Sequence, residues 1–308
     1  AEPLSAAATI RYYAEALDKL YGEIAPTAPG TLGLVHKEPA GVVGAIVPWN
    51  FPLMIGAWKL GPAIAAGCSV VLKPPETASL TLLRIAELAL EAGLPPGVLN
   101  VVTGEGAVVG DAIARSMDVD VLVFTGSGPT GRRLMEASAQ SNLKRVYLEL
   151  GGKSPNIVFA DAPDFGTAVK ASAAGIFRNA GQVCVAGSRL LVERSIHDRF
   201  VEALADATQA MQVGDPLDPA TGIGAVHSQA QLDRSLDFVE EARAQGGTIL
   251  TGGERILQET GGYFMAPTIV SDVAPTDRIA QEEVFGPVLA VIPFETEEQA
   301  IAIANGTD

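Results

Sequence analysis

The sequence predicts an α/β fold in which a Rossmann-like, doubly wound parallel sheet domain is followed by a second α/β domain. The first observation is a series of short, almost continuously apolar runs, which is the pattern of strands buried on both faces of a parallel sheet. The second is that helical patterns separate these runs, and this alternation predicts parallel strands joined by crossover helices. The third is a composition of 48% hydrophobic residues with 33 glycines, which is typical of globular α/β proteins.

The first predicted domain spans residues 1–150. Its strands are predicted at 41–47, 69–72, 98–102 and 119–124, and its crossover helices at 80–92 and 107–116. An amphipathic helix is predicted at 5–21, and the turn-rich stretch 26–33 is interpreted as either a linker or a hairpin extension. The domain boundary is placed at Gly151-Gly152, where an apolar strand ends.

The second predicted domain spans residues 151–308. Its strands are predicted at 156–159, 189–192, 248–250 and 288–294, and its helices at 164–179, 196–211 and 229–244. Ser195 is the predicted N-cap of the second of these helices. A last helix is predicted from Thr296 into a turn at Asn305-Gly306. Because no element precedes the first helix or follows this turn, the chain is expected to be a fragment.

The bulk properties restrict the class of protein. A length of 308 residues allows a large core and two domains, and a net charge of −15 argues against binding to nucleic acid or anionic lipid. The two cysteines, Cys68 and Cys184, suggest a reducing compartment, so a cytoplasmic location is predicted, although a disulfide between them stays open. The chain has no apolar run of transmembrane length, and its first residues lack a basic leader.

Cys184 is the first candidate for chemistry. It lies in the run GQVCVAGS at 181–188, where small, flexible residues leave room for a substrate. A thiolate attacks carbonyl carbons well once its pKa is lowered. The alternative is a buried structural cysteine, and the local sequence alone favours that alternative.

Glu149 and Asn50 are candidates for acid–base and oxyanion chemistry. Glu149 ends an apolar strand at the carboxyl edge of the predicted sheet, where a partly buried carboxylate can act as a general base. Asn50 lies in PWNFP at 48–52, whose prolines fix the loop, so its amide can donate to an oxyanion. The alternatives are a solvated glutamate and an ordinary Pro-Asn turn.

Two further segments suggest a dinucleotide site. Lys73 and Glu76 end the next strand, where they can bind ribose hydroxyls, and an acidic partner favours NAD over NADP. The run FTGSGPTG at 124–131 joins a strand to a helix predicted at 132–139, and its N–H groups can approach phosphate. The alternatives are an exposed charged turn and a glycine-rich turn whose spacing differs from the usual GxGxxG pattern.

Taken together, these segments resemble the aldehyde dehydrogenase family. The matching stretches occur in the family's order and at about its spacing: PWNFP at 48–52, KPPE at 73–76, FTGS at 124–127, LELGGKSPN at 148–156, GQVC at 181–184 and EEVFGP at 282–287. The resemblance covers nearly the whole chain. It implies an NAD-dependent enzyme that oxidises an aldehyde to a carboxylic acid.

The resemblance also implies roles for individual residues. Cys184 is implied to be the nucleophile, Glu149 the general base, and the Asn50 amide with the Cys184 N–H the oxyanion hole. Lys59 matches a lysine that supports proton relay. No metal is implied. The positions that match cofactor-binding residues are Trp49, Lys73 and Glu76 (the last two at the adenosine ribose), Gly106 and Gly110 near the adenine, Gly126, Ser127 and Gly131 at the pyrophosphate, and Glu283 and Phe285 at the nicotinamide end.

Partners and substrate follow from the same resemblance. The segment 21–39 matches the first part of an oligomerisation hairpin, so a homo-oligomer, either a dimer or a tetramer, is expected for the full-length protein. Within the family, the chain resembles the subgroup that acts on ω-amino or γ-glutamylamino aldehydes, which implies a substrate of that kind. Full-length relatives have further segments before Ala1 and after Asp308. One departure from the family pattern is Gly128-Pro129, which leaves the cofactor geometry at that turn open.

Two other functions compete with this interpretation. A CoA-acylating aldehyde dehydrogenase would pass the acyl group to CoA, and Glu149 argues against it because that reaction has no use for a hydrolytic base. A non-catalytic protein could keep the fold for structural or binding purposes. The joint presence of Cys184, Glu149 and Asn50 argues against loss of the site.

Overall fold

A computed structural model describes residues 2–307. The chain divides into two compact units between Leu150 and Gly151. Each unit contains one five-stranded sheet with helices between its strands. The predicted α/β class is therefore confirmed.

The first unit begins with a helix and a small hairpin and continues as alternating strands and helices. Its elements are α1 (Glu2–Ala16), β1 (Glu23–Ala25), β2 (Gly33–Val35), β3 (Val42–Ile46), α2 (Pro52–Ala65), β4 (Ser69–Lys73), α3 (Leu80–Glu91), β5 (Leu99–Val101), α4 (Asp111–Arg115), β6 (Val121–Gly126), α5 (Gly128–Ala139) and β7 (Arg145–Leu150). A π-helical turn, Gly106–Gly110, leads directly into α4.

The main sheet of this unit has the strand order β5-β4-β3-β6-β7, and every pair in it is parallel. The central strand β3 is the first of the five in the chain. The chain therefore adds β4 and β5 on one side and then returns to add β6 and β7 on the other. In such sheets, ligands bind at the carboxyl ends of the strands, next to the point where the order reverses.

Hydrophobic cores cover both faces of this sheet because successive side chains of each strand point to opposite faces. In β3, Ala45 packs in a cluster with residues of α1, α2, α3 and β4. The next residue, Ile46, packs in a second cluster with residues of α4, α5 and β6. This arrangement explains why the strands are apolar at almost every position.

The hairpin before this sheet is formed by β1 and β2, which pair antiparallel from Glu23 with Val35 to Ala25 with Gly33. The stretch 26–33 is thus the turn of a hairpin and its first paired residue, and the interpretation as a linker is wrong. The preceding helix ends at Ala16, and a 3-10 turn follows at Leu17–Lys19. The prediction that this helix reaches Tyr21 is also wrong.

The second unit combines strands of two to seven residues with helices of four to sixteen residues. Its elements are β8 (Pro155–Val158), α6 (Phe165–Phe177), β9 (Arg189–Glu193), α7 (His197–Gln209), α8 (Gln229–Ala244), β10 (Thr248–Thr251), β11 (Arg255–Ile256), β12 (Phe264–Met265), β13 (Thr268–Ser271), α9 (Arg278–Gln281), β14 (Val288–Phe294) and α10 (Glu297–Ala304).

The sheet of the second unit is mixed. Its strand order is β10-β13-β14-β9-β8, in which β10 runs antiparallel to β13 and the other pairs are parallel. The parallel β–α rhythm was predicted to continue through this region, and for β10 that prediction is wrong. The short strands β11, β12 and β13 were not predicted.

The N-cap predicted at Ser195 is wrong. The helix α7 begins at His197, and the residue before it, Ile196, makes no side-chain cap. The Ser195 hydroxyl instead donates a hydrogen bond of 2.8 Å to Oε1 of Glu193, at the end of β9. Side-chain caps do occur at Asp164, Ser228 and Thr296, before α6, α8 and α10.

Candidate active site

Most of the predicted site residues of the first unit lie at the carboxyl edge of its parallel sheet. Asn50 follows β3, Lys73 ends β4, Gly126 ends β6 and Glu149 is the next-to-last residue of β7. Four strands thus present a singled-out residue at the edge where ligands bind in such folds.

Asn50 and Trp49 lie in the short loop between β3 and α2, and both are partly buried. Pro52 occupies the first turn of α2, where its missing N–H leaves no hydrogen bond unmade. The loop is therefore fixed at its helical end, as the prolines of PWNFP predicted.

Lys73, Glu76 and Gly106 form a hydrogen-bonded cluster. The Lys73 ammonium, only 3% exposed, donates to Oε1 of Glu76 at 3.0 Å and to the Pro74 carbonyl at 3.1 Å. The Gly106 N–H donates to the same Oε1 at 2.6 Å. Although burial raises the pKa of Glu76, the hydrogen bonds from its own N–H and from Lys73 outweigh it and hold the pKa below its usual value. The structure thus joins three residues that the resemblance placed at the adenosine end.

The turn after β6 is shorter than predicted because α5 begins at Gly128 rather than at residue 132. Pro129 lies in the first helical turn, where proline is well tolerated. Ser127 is the residue before the helix, and its Oγ lies 3.0 Å from Oγ1 of Thr130. The unpaired N–H groups at the start of α5 therefore lie next to Gly126 and Ser127, which suits an anion.

Packing restricts the space at two glycines in this region. A Cβ on Gly126 would lie 2.4 Å from the Phe124 ring, and one on Gly131 would lie 3.1 Å from Leu150. Gly110 is buried at the end of the π-helical turn. At Gly126 and Gly131 the backbone thus lies close to the side chains of Phe124 and Leu150.

Lys59 on α2 donates a hydrogen bond of 2.7 Å to Oγ1 of Thr125 on β6. Burial lowers the pKa of Lys59 to about 8, and the nearby Glu149 carboxylate partly opposes this by favouring the charged form. Lys59, Thr125 and Glu149 line one cavity of about 590 Å³. Glu149 itself is exposed, which matches the alternative of a solvated glutamate rather than that of a partly buried carboxylate.

Cys184 of the second unit follows a backbone segment with unusual dihedral angles. Three consecutive residues, Asn179, Ala180 and Gly181, have φ of 53°, 53° and 72°. The left-handed region is costly for residues with a Cβ, and such strain is often found at functional sites. Cys184 is partly buried and is not in a disulfide.

This segment is held by the side chain of Gln182, which lies one residue after the strained stretch. Its Nε2 donates to the Asn179 carbonyl at 3.0 Å, and its Oε1 accepts from the His227 N–H at 2.7 Å. Gly181 packs directly against the backbone of Gly286. A Cβ on Gly181 would lie 2.0 Å from the Gly286 carbonyl oxygen. The loop before Cys184 is therefore positioned by the segment that contains Phe285.

Glu283 lies against the backbone of Gly151 and Gly152. Its Oε1 accepts a hydrogen bond of 3.3 Å from the Gly152 N–H, and a Cβ on Gly151 would lie 2.0 Å from Oε2. Burial raises the pKa of Glu283, opposed by that hydrogen bond and by the charges of Lys153 and Arg234.

Phe285 has a left-handed backbone, with φ of 61°. Nε2 of Gln231 on α8 donates to the Val284 carbonyl at 3.0 Å and to the Phe285 carbonyl at 2.9 Å. Arg234, one turn along α8, donates to the Glu283 carbonyl at 2.8 Å. Neither of these α8 residues was predicted from the sequence.

The residues that were not predicted differ in the signal that the sequence offers. Thr125 and Gln182 lie inside segments that were singled out, and their polar side chains next to a glycine could have been noted. Gln231 and Arg234 lie about fifty positions before the loop they hold, on a helix with ordinary polar residues. No local pattern distinguishes them.

Comparison with known proteins accounts for these segments. The sequence model of the aldehyde dehydrogenase family matches residues 1–308, the full length of the chain. The chain belongs to the aldehyde dehydrogenase family. The resemblance stated from the motifs is thereby confirmed.

Members of this family that resemble the chain are known in sequence and in structure. The NADP/NAD-dependent aldehyde dehydrogenase PuuC of Escherichia coli is 52% identical over 300 residues, which are 97% of this chain and 60% of PuuC. An indole-3-acetaldehyde dehydrogenase solved with NAD+ is 54% identical, with a TM-score of 0.96 over 98% of this chain and 61% of that one. A γ-glutamyl-γ-aminobutyraldehyde dehydrogenase from Burkholderia cenocepacia is 51% identical, with a TM-score of 0.95 over 98% and 61%.

The chain thus spans about 60% of the length of these aldehyde dehydrogenases. Within residues 2–307, no helix combines the length and the apolar character needed to cross a membrane.

Proposed function

We propose that the protein oxidises an aldehyde to a carboxylic acid with NAD, and that Cys184 is the nucleophile. The proposal rests mainly on one observation: in this member of the aldehyde dehydrogenase family, Cys184 is accessible and follows a strained loop. Its thiol is partly exposed, and the preceding loop is held in a strained conformation by Gln182 and by the close approach of Gly181 to Gly286.

In the proposed reaction the Cys184 thiolate adds to the aldehyde carbon and forms a C–S bond, while the carbonyl oxygen becomes an oxyanion. The Asn50 amide and the Cys184 N–H stabilise that oxyanion by donating hydrogen bonds. The dinucleotide, when bound, supplies the hydride acceptor. Loss of hydride from the carbon leaves a thioester on Cys184, which water hydrolyses.

Glu149 is proposed to take a proton from the hydrolytic water, which releases the acid and restores the thiol. Its exposure places it where water has access. Lys59 is close enough for the Glu149 charge to act on its pKa, and that pKa of about 8 lets it exchange protons near neutral pH. We therefore assign Lys59 to proton relay with Glu149.

The residues present fit a dinucleotide. The Oε1 atom of Glu76 is held by Lys73 and Gly106, which fixes a carboxylate that can accept hydrogen bonds from ribose hydroxyls. The start of α5 at Gly128 offers unpaired N–H groups for the pyrophosphate. We propose NAD as the preferred cofactor because the Glu76 carboxylate would repel a 2′-phosphate.

The proposed substrate is an ω-amino or γ-glutamylamino aldehyde. Support comes from the name of the Burkholderia relative, which specifies γ-glutamyl-γ-aminobutyraldehyde. The net charge of −15 is compatible with the cationic ω-amino aldehydes of this class. We also propose that the protein acts in the cytoplasm as a homo-oligomer, in which exposed apolar residues of the β1–β2 hairpin such as Ile24 and Leu34 are covered.

Replacing the two cysteines separately tests the central claim. Cys184→Ala is expected to abolish aldehyde-dependent NADH production, because the proposed thioester forms on the Cys184 thiol. The matched control is Cys68→Ala, which removes a buried thiol of the first unit and is expected to leave the reaction in place. Turnover by the Cys184→Ala protein would refute the mechanism.

Glu149→Gln separates the two halves of the reaction. The acyl intermediate is expected to form in a burst of NADH, followed by slow steady turnover, because the amide cannot accept the proton of water. Rapid-mixing absorbance of NADH distinguishes the burst from the steady rate. An unchanged steady rate would remove Glu149 from the mechanism.

A further inference from the structure

Lys153 is a buried cation that the mechanism above does not use. It is 8% exposed, and its Nζ has no hydrogen-bond partner among residues 2–307. A buried ammonium without a partner is costly, and proteins seldom retain one without a function. Lys153 follows Gly152, the residue whose N–H holds the Glu283 carboxylate.

The charges around Lys153 come from three neighbouring parts of the second unit. Arg189 lies on β9, Arg234 on α8, and Glu282 and Glu283 precede β14. Burial, and after it the Arg189 charge, lowers the pKa of Lys153 to about 7, while Glu283 acts in the opposite direction.

Arg189 directs its guanidinium to main-chain carbonyls and forms no ion pair with a carboxylate among residues 2–307. Its three nitrogens donate at 2.8 Å each to the carbonyls of Lys153, Ile303 and Ala304. Arg234 is likewise engaged, through the Glu283 carbonyl. Lys153 is thus a cation near Glu283 whose ammonium makes no hydrogen bond within residues 2–307.

The position of Glu283 depends on its surroundings. Its carboxylate lies over the Gly151-Gly152 backbone with one long hydrogen bond of 3.3 Å, and burial disfavours its charge. A nearby positive charge favours the ionised form of this carboxylate.

We propose that Lys153 is a positioning residue for Glu283, and that its ammonium keeps the Glu283 carboxylate ionised and directed so that it accepts hydrogen bonds from the nicotinamide ribose. This rests on the proposed function, with Glu283 at the nicotinamide end of the dinucleotide, as the resemblance to the family implies. The ammonium acts through Glu283 and does not touch the reacting atoms.

A dependence of dinucleotide binding on pH follows. Lys153 is charged below its pKa of about 7 and neutral above it, so its effect on Glu283 is present at the acidic side and lost as pH rises. Affinity for NADH is expected to fall by about tenfold between roughly pH 6 and pH 8.5, which corresponds to one pKa unit of charge interaction.

Two substitutions at Lys153 separate charge from structure. Lys153→Met retains the length and removes the charge, so NADH binding is expected to be weak and nearly independent of pH. Lys153→Arg retains a charge at all these pH values, so binding is expected to stay tight at the alkaline side. Lys170→Met, at an exposed lysine of α6, is the matched control and is expected to keep the native pH profile.

Titration of the whole protein with NADH, followed by the fluorescence of the nucleotide, measures these affinities without turnover. A Lys153→Met profile parallel to the native one would overturn the role of Lys153 and leave the proposed function intact. No NADH binding by the native protein would overturn both.

A second measurement does not depend on ligand binding. Lys153→Met is expected to raise the urea midpoint of unfolding near neutral pH, because an unpaired buried charge is replaced by an apolar group. Signals of labelled lysine Nζ should also show one group that titrates near pH 7 in the native protein and is missing in the variant. Its absence from the native protein would overturn the proposal.

Discussion

At the scale of single residues, Lys59 and Lys73 show how a partner determines the behaviour of a buried ammonium. Lys73 is almost fully buried but donates to the Glu76 carboxylate and to a carbonyl. Lys59 has a neutral hydroxyl as its hydrogen-bond partner, and burial lowers its pKa to about 8. The first lysine is suited to a fixed binding contact, and the second is suited to proton transfer.

The same comparison gives a prediction for Glu76. Glu76→Gln is expected to weaken NAD binding by about tenfold and to reduce the discrimination against NADP, because a charge-assisted acceptor is replaced by a neutral one. The low pKa of Glu76 keeps it ionised at neutral pH, so the effect should not vary there. Parallel NADH and NADPH titrations measure it, with the exposed Glu87→Gln as the control. An unchanged NAD to NADP ratio would contradict this role.

At the scale of elements, the loop before Cys184 relies on the absence of a side chain at Gly181. Gly181→Ala is expected to destabilise the protein by about 3 kcal/mol or more, because it adds a Cβ at positive φ against the Gly286 carbonyl. The urea dependence of circular dichroism measures this loss.

Gly175 provides a control within the same region. It lies inside α6, and a Cβ added to it would have no neighbouring atom within 4 Å, so Gly175→Ala is expected to stabilise the protein by about 0.5–1 kcal/mol. Equal effects of the two substitutions on stability would show that the close approach of Gly181 to Gly286 does not determine the stability of this loop.

The elements that the sequence predicted well are those with a local signal. The strand Val288–Phe294 and the helix Gln229–Ala244 have the predicted bounds because apolar runs and helical periodicity are strong over their full length. The direction of β10 was missed because it is set by antiparallel pairing with β13, a strand that was not itself predicted. The start of α5 was missed because Gly128-Pro129 was interpreted as a turn, whereas proline also begins helices.

The candidate site divides in the same way. Cys184, Glu149 and Asn50 were individually ambiguous, and only their order with the other motifs indicated the aldehyde dehydrogenase family. The exposure of Glu149 and the contacts of Gln231 are tertiary properties that no spacing rule reveals.

At the scale of the whole molecule, its buried lysines make stability depend on pH. Lys59 and Lys153 have pKa values of about 8 and about 7, below the ordinary 10.5. The folded chain therefore binds fewer protons than the unfolded chain between these values and 10.5, so stability rises with pH across this window.

Urea unfolding at about pH 7 and about pH 9 tests this expectation. The native midpoint should be higher at the alkaline value, and the double variant Lys59→Met, Lys153→Met should lose most of the rise. Replacing the exposed Lys170 by Met should leave it unchanged. A native midpoint that falls with pH would contradict the assignment of both lysines.

The arrangement around Arg189 has a consequence for how the protein tolerates sequence change. All three of its acceptors are main-chain carbonyls, at positions 153, 303 and 304. Side-chain replacement at those positions leaves each acceptor in place, so the contact itself does not depend on the side chains there, whatever else they do. Position 189 has no such freedom, because a lysine has one nitrogen where three directions must be served. Random mutagenesis with selection for folded protein should therefore recover many substitutions at the acceptor positions and almost none at Arg189.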